Sequence, residues 1–419
     1  MRGLVTLLLL AAAVQAAAVR EGGAPLRSSC EADAVTVTEL PAATPLTIRY
    51  SLSGQRVACY KVIATVNGRT SEGYLPAPSI VDLEAFDTAR KQGGVLGTRE
   101  VLAAVGAPAS QSLTPASPAA AVGSGTLNAL AQQAANLIET SQPARALALL
   151  EPELKKRKDP GLLALAGAAA WRADDARRAL ELWRQSLDIQ PNKQVQELYD
   201  RVERENKGDL SNQRLYGTRV LLRYEGTAIS ADTAREMAAV VDQEFARISA
   251  QLGCTTSERI VTIAQSRDAY KKTTAAAEWS AGQYDGRIRV PVFDRGSLDS
   301  DTRRTLAHET THACLSMLGR WPSWLQEGVA QYMSGEISTP PARQQIAELA
   351  RQKQLPSLNK LGADWSGLDS SSARVAYSLA LRAVEIFNQD FASYGLRNLL
   401  RNPDNLPQYT SEIDKRLGL

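Results

Sequence analysis

Apolar and polar residues alternate along the early part of the chain, through Val35 and Val37, then Leu46, Ile48 and Tyr50, then Tyr60, Val62, Ala64 and Val66. A period of two is the mark of strands with one face on a core. Asn67-Gly68 follows directly and predicts a tight hairpin, with Arg69 to Leu75 as the returning strand. These segments predict a small β domain over 28–85. From Thr126 to about Asn206 the apolar residues recur at helical spacing, and Ala146-Leu147-Ala148-Leu149-Leu150 lies over Ala179-Leu180-Glu181-Leu182-Trp183 as an internal repeat. A helical repeat region is therefore expected over 126–207. From residue 213 the periods mix. Val220 to Tyr224 and Ile260 to Ile263 read as strands. Asp232 to Leu252 reads as an amphipathic helix with Met237, Val240, Val241, Phe245 and Ile248 on one face. Tyr284 to Arg287 forms a turn into Ile288-Arg289-Val290-Pro291-Val292. Pro291 has no N–H to give a ladder, so this strand is expected at a sheet edge, where an extended peptide could add to it. The pattern predicts a multidomain chain ending in an α+β unit over 213–419.

Two stretches fall outside these periods. Residues 1–18 combine Arg2, an apolar run from Leu4 to Ala13 broken only by Thr6, and the small residues Ala16-Ala17-Ala18. This is the layout of a cleavable secretory signal, and the run is shorter than the roughly 20 residues that cross a bilayer. The expectation is a secreted or periplasmic protein with no membrane span. Residues 91–125 shift to Ala, Ser, Pro, Gly and Gln and are expected to be a flexible linker.

The charge is nearly balanced, with 48 Lys and Arg against 45 Asp and Glu. That excludes a broad electrostatic case for nucleic acid, and the run Lys155-Lys156-Arg157-Lys158 reads as a solvated helix end. Export would put the 4 cysteines in an oxidising compartment. Cys30 with Cys59 is the favoured pair, leaving Cys254 and Cys314 for each other or as buried thiols.

Both of the 2 histidines fall in His308-Glu309-Thr310-Thr311-His312. Four residues apart on a helix, they share a face and can present imidazole nitrogens to one metal ion, with Glu309 flanking the same site. Cys314 is rotated about 200° from His312 and should face away. A catalytic zinc usually takes three protein ligands, and with no further histidine the third is expected to be acidic. Glu327 is the best placed. Pro322 breaks the chain after the first helix, Ser323 can cap a second with Gln326 completing the box, and Gly328 allows close approach. Glu336 competes, but it follows Gly335 and reads as a solvated helix end.

Joined to Pro322-Ser323-Trp324-Leu325-Gln326-Glu327-Gly328-Val329-Ala330-Gln331-Tyr332, the HETTH stretch resembles the gluzincin branch of the zinc metallopeptidases, in their peptidase MA-like domains. The resemblance spans about residue 213 to the end. It implies a zincin-type fold, one catalytic zinc held by His308, His312 and Glu327, and Glu309 as general base to a zinc-activated water. It also implies an oxyanion donor. Histidine is impossible there, and Tyr377 in Ala376-Tyr377-Ser378 is the candidate, against a plain packed-core tyrosine. Upstream, Gly167, Ala179, Trp183 and Pro191 resemble the small, aromatic and proline positions of tetratricopeptide repeats over Leu127 to Asn192, with Val195 to Asn206 as a capping helix. Cys59 to Leu75 is similar to the end of a bacterial SH3-like domain. The expected function is a secreted zinc peptidase acting on a peptide or protein substrate, with a protein partner as a further role for the repeats. The alternative is an envelope scaffold in which the repeats bind peptides and the peptidase domain is vestigial.

Overall fold

The computed structural model of the chain describes residues 17–28, 34–52, 59–83, 126–208, 212–274, 282–292, 298–361 and 370–419. Within them, three separate hydrophobic cores mark a multidomain α+β protein. The expected linker, residues 91–125, and Cys30 of the favoured disulfide lie outside the described residues, as do residues 1–16 of the expected signal.

The first core belongs to an antiparallel sheet of five strands, β2 (Ala24–Arg27), β3 (Thr36–Leu40), β4 (Leu46–Leu52), β5 (Cys59–Val66) and β6 (Arg69–Pro76), in the order β3-β2-β6-β5-β4. Asn67 and Gly68 both take positive φ, 52° and 76°, and close the β5–β6 hairpin between Val66 and Arg69. That is the backbone a two-residue hairpin turn demands. A short pair, β1 (Ala18–Val19) and β7 (Ile80–Val81), completes the domain. Val19 and Leu26, upstream of residue 28, are buried in the same core. A strand of two residues, as β1 is, carries no period in the sequence.

Five helices form the second core: α1 (Thr126–Glu139), α2 (Pro143–Lys156), α3 (Pro160–Arg172), α4 (Ala176–Ile189) and α5 (Lys193–Gly208). Asp159 and Asp175 cap α3 and α4 by accepting from Leu162 N and Arg178 N. Trp183 is fully buried against Gly167, where an added Cβ would stand 2.4 Å from the indole nitrogen. Only glycine lets α3 and α4 approach this closely.

The third core fills the C-terminal domain. Its mixed sheet runs β11-β12-β10-β9-β8, from β8 (Asn212–Tyr216), β9 (Val220–Glu225), β10 (Ile260–Ser266), β11 (Gln283–Tyr284) and β12 (Ile288–Val292). The strands β9, β10 and β12 are parallel, and the outer two are antiparallel. The helices are α6 (Ala231–Leu252), α7 (Arg267–Thr274), α8 (Ser300–Leu318), α9 (Ser323–Met333), α10 (Pro340–Arg351), α11 (Ser370–Arg401) and α12 (Leu406–Leu417). A disulfide joins Cys254, just past α6, to Cys314 in α8. One expectation is corrected here: β12 is not the edge strand. Gly286, at φ 93°, turns the chain back so that Gln283 and Tyr284 cover Arg289 and Ile288. Pro291 sits instead where β11 has ended.

The helical region is docked on this sheet through buried charge. Arg289 pairs with Glu205 of α5 and donates to Asp285 at 2.9 Å. Arg287 stacks 4.0 Å from the centre of the Trp171 ring, and Arg223 of β9 pairs with Asp174 after α3. The β domain also touches the C-terminal unit, where Tyr74 donates to Asp301 Oδ2 at 2.8 Å and Arg267 donates to the Ile48 carbonyl at 2.7 Å.

Candidate metal centre

Asp299 starts α8 by accepting from Thr302 N at 2.6 Å, and Gly319 ends it. Between them the HETTH stretch makes little more than one helical turn, with Thr310 and Thr311, and Cys314 and Leu315 just beyond, buried against the core. His308 and His312 share the opposite stripe, as the four-residue spacing requires. Their Nε2 atoms are 3.2 Å apart and their rings meet edge to face.

Pro322 opens the next helix as its N-cap residue and makes no side-chain cap bond, so the helix begins one residue earlier than the Ser323 cap expected from the sequence would place it. Gln326 instead donates to the Trp321 carbonyl at 2.7 Å, tying the helix start to the preceding loop. Gly328 allows a close approach, but the neighbour is α11: an added Cβ would come 2.3 Å from the Ala380 carbonyl oxygen. Held between α8 and α11, α9 points Glu327 at both imidazoles. Its Oε2 lies 3.4 Å from His308 Nε2 and 3.6 Å from His312 Nε2. Among the described residues, His308, His312 and Glu327 are the group of donors that could hold a metal ion, all within 4.8 Å of one another.

Burial works against charge on His308, but the hydrogen bond to Glu327 and the nearby carboxylates outweigh it and raise its pKa to about 9. Burial likewise works against the Glu327 carboxylate, yet the charge of His312 and the bonds from both rings hold it far below the usual range. Glu309 is buried, and desolvation pushes its carboxyl upward while the two imidazoles pull it back. A carboxyl raised this way and set beside three donors is suited to take a proton.

The other sequence candidates fall less simply. Cys314 is spent in the disulfide and is no ligand. Tyr377 lies half-buried on α11, where its carbonyl accepts from Gln331 Nε2 at 3.1 Å, and the same amide donates to the Glu327 carbonyl at 3.2 Å. The structure thus brings the main chain of Tyr377 against the turn that carries Glu327. Glu336 is not the solvated terminus expected. Gly335, at φ 88°, folds the chain back, leaving Glu336 half-buried, its carboxyl raised by burial and opposed by His308 and Arg304. A further neighbour comes from Gly282-Gln283-Tyr284, a stretch that the sequence resemblance includes without a role. Gly282 precedes β11, and an added Cβ there would lie 2.5 Å from Thr305 Cγ2 and 3.0 Å from Glu309 Oε1.

No family model matches the chain, and no curated protein matches it. What the fold and site define is an α+β domain in which two histidines on one helix and a glutamate on the next converge.

Proposed function

We propose that the protein is a zinc-dependent peptidase working outside the cytoplasm. The observation that carries this reading is the triangle of His308 Nε2, His312 Nε2 and Glu327 Oε2, with sides of 3.2, 3.4 and 3.6 Å. Ligands about 2.0–2.1 Å from a tetrahedral zinc stand about 3.3–3.4 Å apart, so the three donors suit that ion. Two unprotonated ring nitrogens this close repel unless a cation lies between them. The donor set leaves a fourth position for water, the mark of a catalytic site and not of a closed structural one.

When bound, zinc would lower the pKa of water toward about 7 and polarise a carbonyl. The chain's own residues supply the rest. His308, His312 and Glu327 orient the ion. Glu309, one residue beyond His308 and shielded from solvent, accepts a proton during attack on the peptide carbonyl and hands it to the leaving amine. Tyr377 is our candidate for donating to the tetrahedral oxyanion. A Tyr377→Phe enzyme with unchanged turnover would remove it from that role.

Support for a compartment outside the cytoplasm comes from the signal-like residues 1–18 and the Cys254–Cys314 disulfide. Among the described residues no helix is long and apolar enough to cross a membrane. Digestion of a peptide library tests the activity: the zinc-loaded chain should cleave and Glu309→Gln should not, while keeping its zinc. Equal digestion by both would overturn the assignment of Glu309.

A further inference from the structure

The turn between α1 and α2 reaches both sides of the candidate metal centre. Ser141, in the left-handed region at φ 56°, places its hydroxyl 2.6 Å from Tyr284 on β11 and 2.7 Å from Ser316 on α8. Tyr284 and Ser316 are themselves 2.9 Å apart. Ser316 donates to the Ala313 carbonyl at 2.8 Å, so within the trio it can only accept, and the Ser141 and Tyr284 hydroxyls supply two protons for the three contacts. Just beside this, Arg320 donates to Glu139 at the end of α1 at 2.6 Å.

Ser316 continues the stripe of His308 and His312, four residues further along the same helix. Tyr284 therefore ties β11 to one end of that stripe, while two residues earlier Gly282 lies against Thr305 and Glu309 near the other. β11 is only two residues long and makes two residue pairs with β12. So short a strand draws little position from its own ladder. The side-chain contacts must set where it lies.

We propose that the α1–α2 turn of the helical region is a positioning element for the metal centre: through Ser141, Tyr284 and Ser316 it fixes β11 along α8, so that Gly282 seats the Glu309 carboxyl. This rests on Glu309 serving as the base. It gives the helical region an internal task in place of an outside partner. Neither Ser141 nor Tyr284 is a catalytic residue, since each acts through the strand.

The test compares Tyr284→Phe, Ser316→Ala and Ser316→Thr, with peptide turnover, zinc content and amide hydrogen exchange over Gln283–Val292 as readouts. Tyr284→Phe keeps the ring and should fold. Its kcat should fall by roughly tenfold to a hundredfold, as for a reacting group misplaced by about an ångström. KM and zinc content should stay within about twofold, and exchange in the hairpin should quicken. Ser316→Ala should behave alike, and Ser316→Thr, which keeps the hydroxyl, should restore turnover and protection. Gly282→Ala should lower kcat by itself, without faster exchange. A Tyr284→Phe protein with wild-type kcat and wild-type exchange overturns the inference and leaves the peptidase reading standing. A wild-type chain that holds no zinc and cleaves nothing overturns the peptidase reading and this inference with it.

Discussion

The C-terminal domain holds two clusters of buried charge, and they differ in what they lack. Around Asp285, Glu205, Arg287 and Arg289 every carboxylate faces guanidinium groups. Burial disfavours the Asp285 carboxylate, but Arg289, Arg287 and Arg172 hold it down to about 2, while burial and the neighbouring Arg289 lower Arg287 to about 10. The cluster pairs its opposite charges with one another and joins the helical region to the sheet. At His308, His312 and Glu327 a single carboxylate faces two ring nitrogens, which can be neutral ligands or share a proton. That cluster could hold a metal ion. Buried charge alone does not distinguish a site from a joint. The kind of partner each group still needs does.

The sharpest way to break this comparison is to remove one acid from each cluster. Glu309→Gln, beside the metal cluster, should cut kcat by about 10²–10⁴-fold with folding intact. Glu205→Ala should do the reverse, lowering stability by about 3–5 kcal/mol in denaturant melts because the buried Arg287 and Arg289 lose one of their two carboxylates, while zinc content is unchanged. Opening the Cys254–Cys314 bridge with Cys254→Ser and Cys314→Ser should cost about 2–4 kcal/mol in the same melts. Zinc binding should survive that change, since Cys314 is turned from the donors.

The smallest effect is a dependence on pH that the metal-free protein should show. His308 is raised from 6.5 to about 9, so its contribution to stability is whole below 6.5 and fades as pH climbs through 9. Glu327 is lowered from 4.5, so its contribution is whole above that value and lost as pH falls through its folded pKa. Melting of the metal-free chain should therefore peak between about 4.5 and 6.5 and decline toward 9. Zinc should abolish the alkaline decline, because it replaces the proton on His308. A flat profile without metal would show that the pair is not coupled as described.

Much of the site is legible in the chain itself. The spacing of His308 and His312 dictates a shared helical face, and Pro322 followed by apolar residues at helical period places Glu327 on a second helix. Local signals suffice where the geometry is local. The contacts of Gly282 with Glu309, and of Tyr284 with Ser141 and Ser316, join residues far apart in sequence, and nothing in periodicity or composition announces them. The burial of Glu336 and the covering of β12 by β11 both follow from a single glycine at positive φ, Gly335 in one case and Gly286 in the other. A glycine marks a turn in the sequence, but not which way the chain returns.

The central claim is that His308, His312 and Glu327 form a zinc site. Titration of zinc against a chromophoric chelator, on the wild-type chain and on Glu327→Ala, tests it most directly. The account predicts one ion per wild-type chain and affinity weakened by at least about a hundredfold in the variant. A wild-type chain that takes up no zinc, or a Glu327→Ala chain that binds it as tightly, would contradict it.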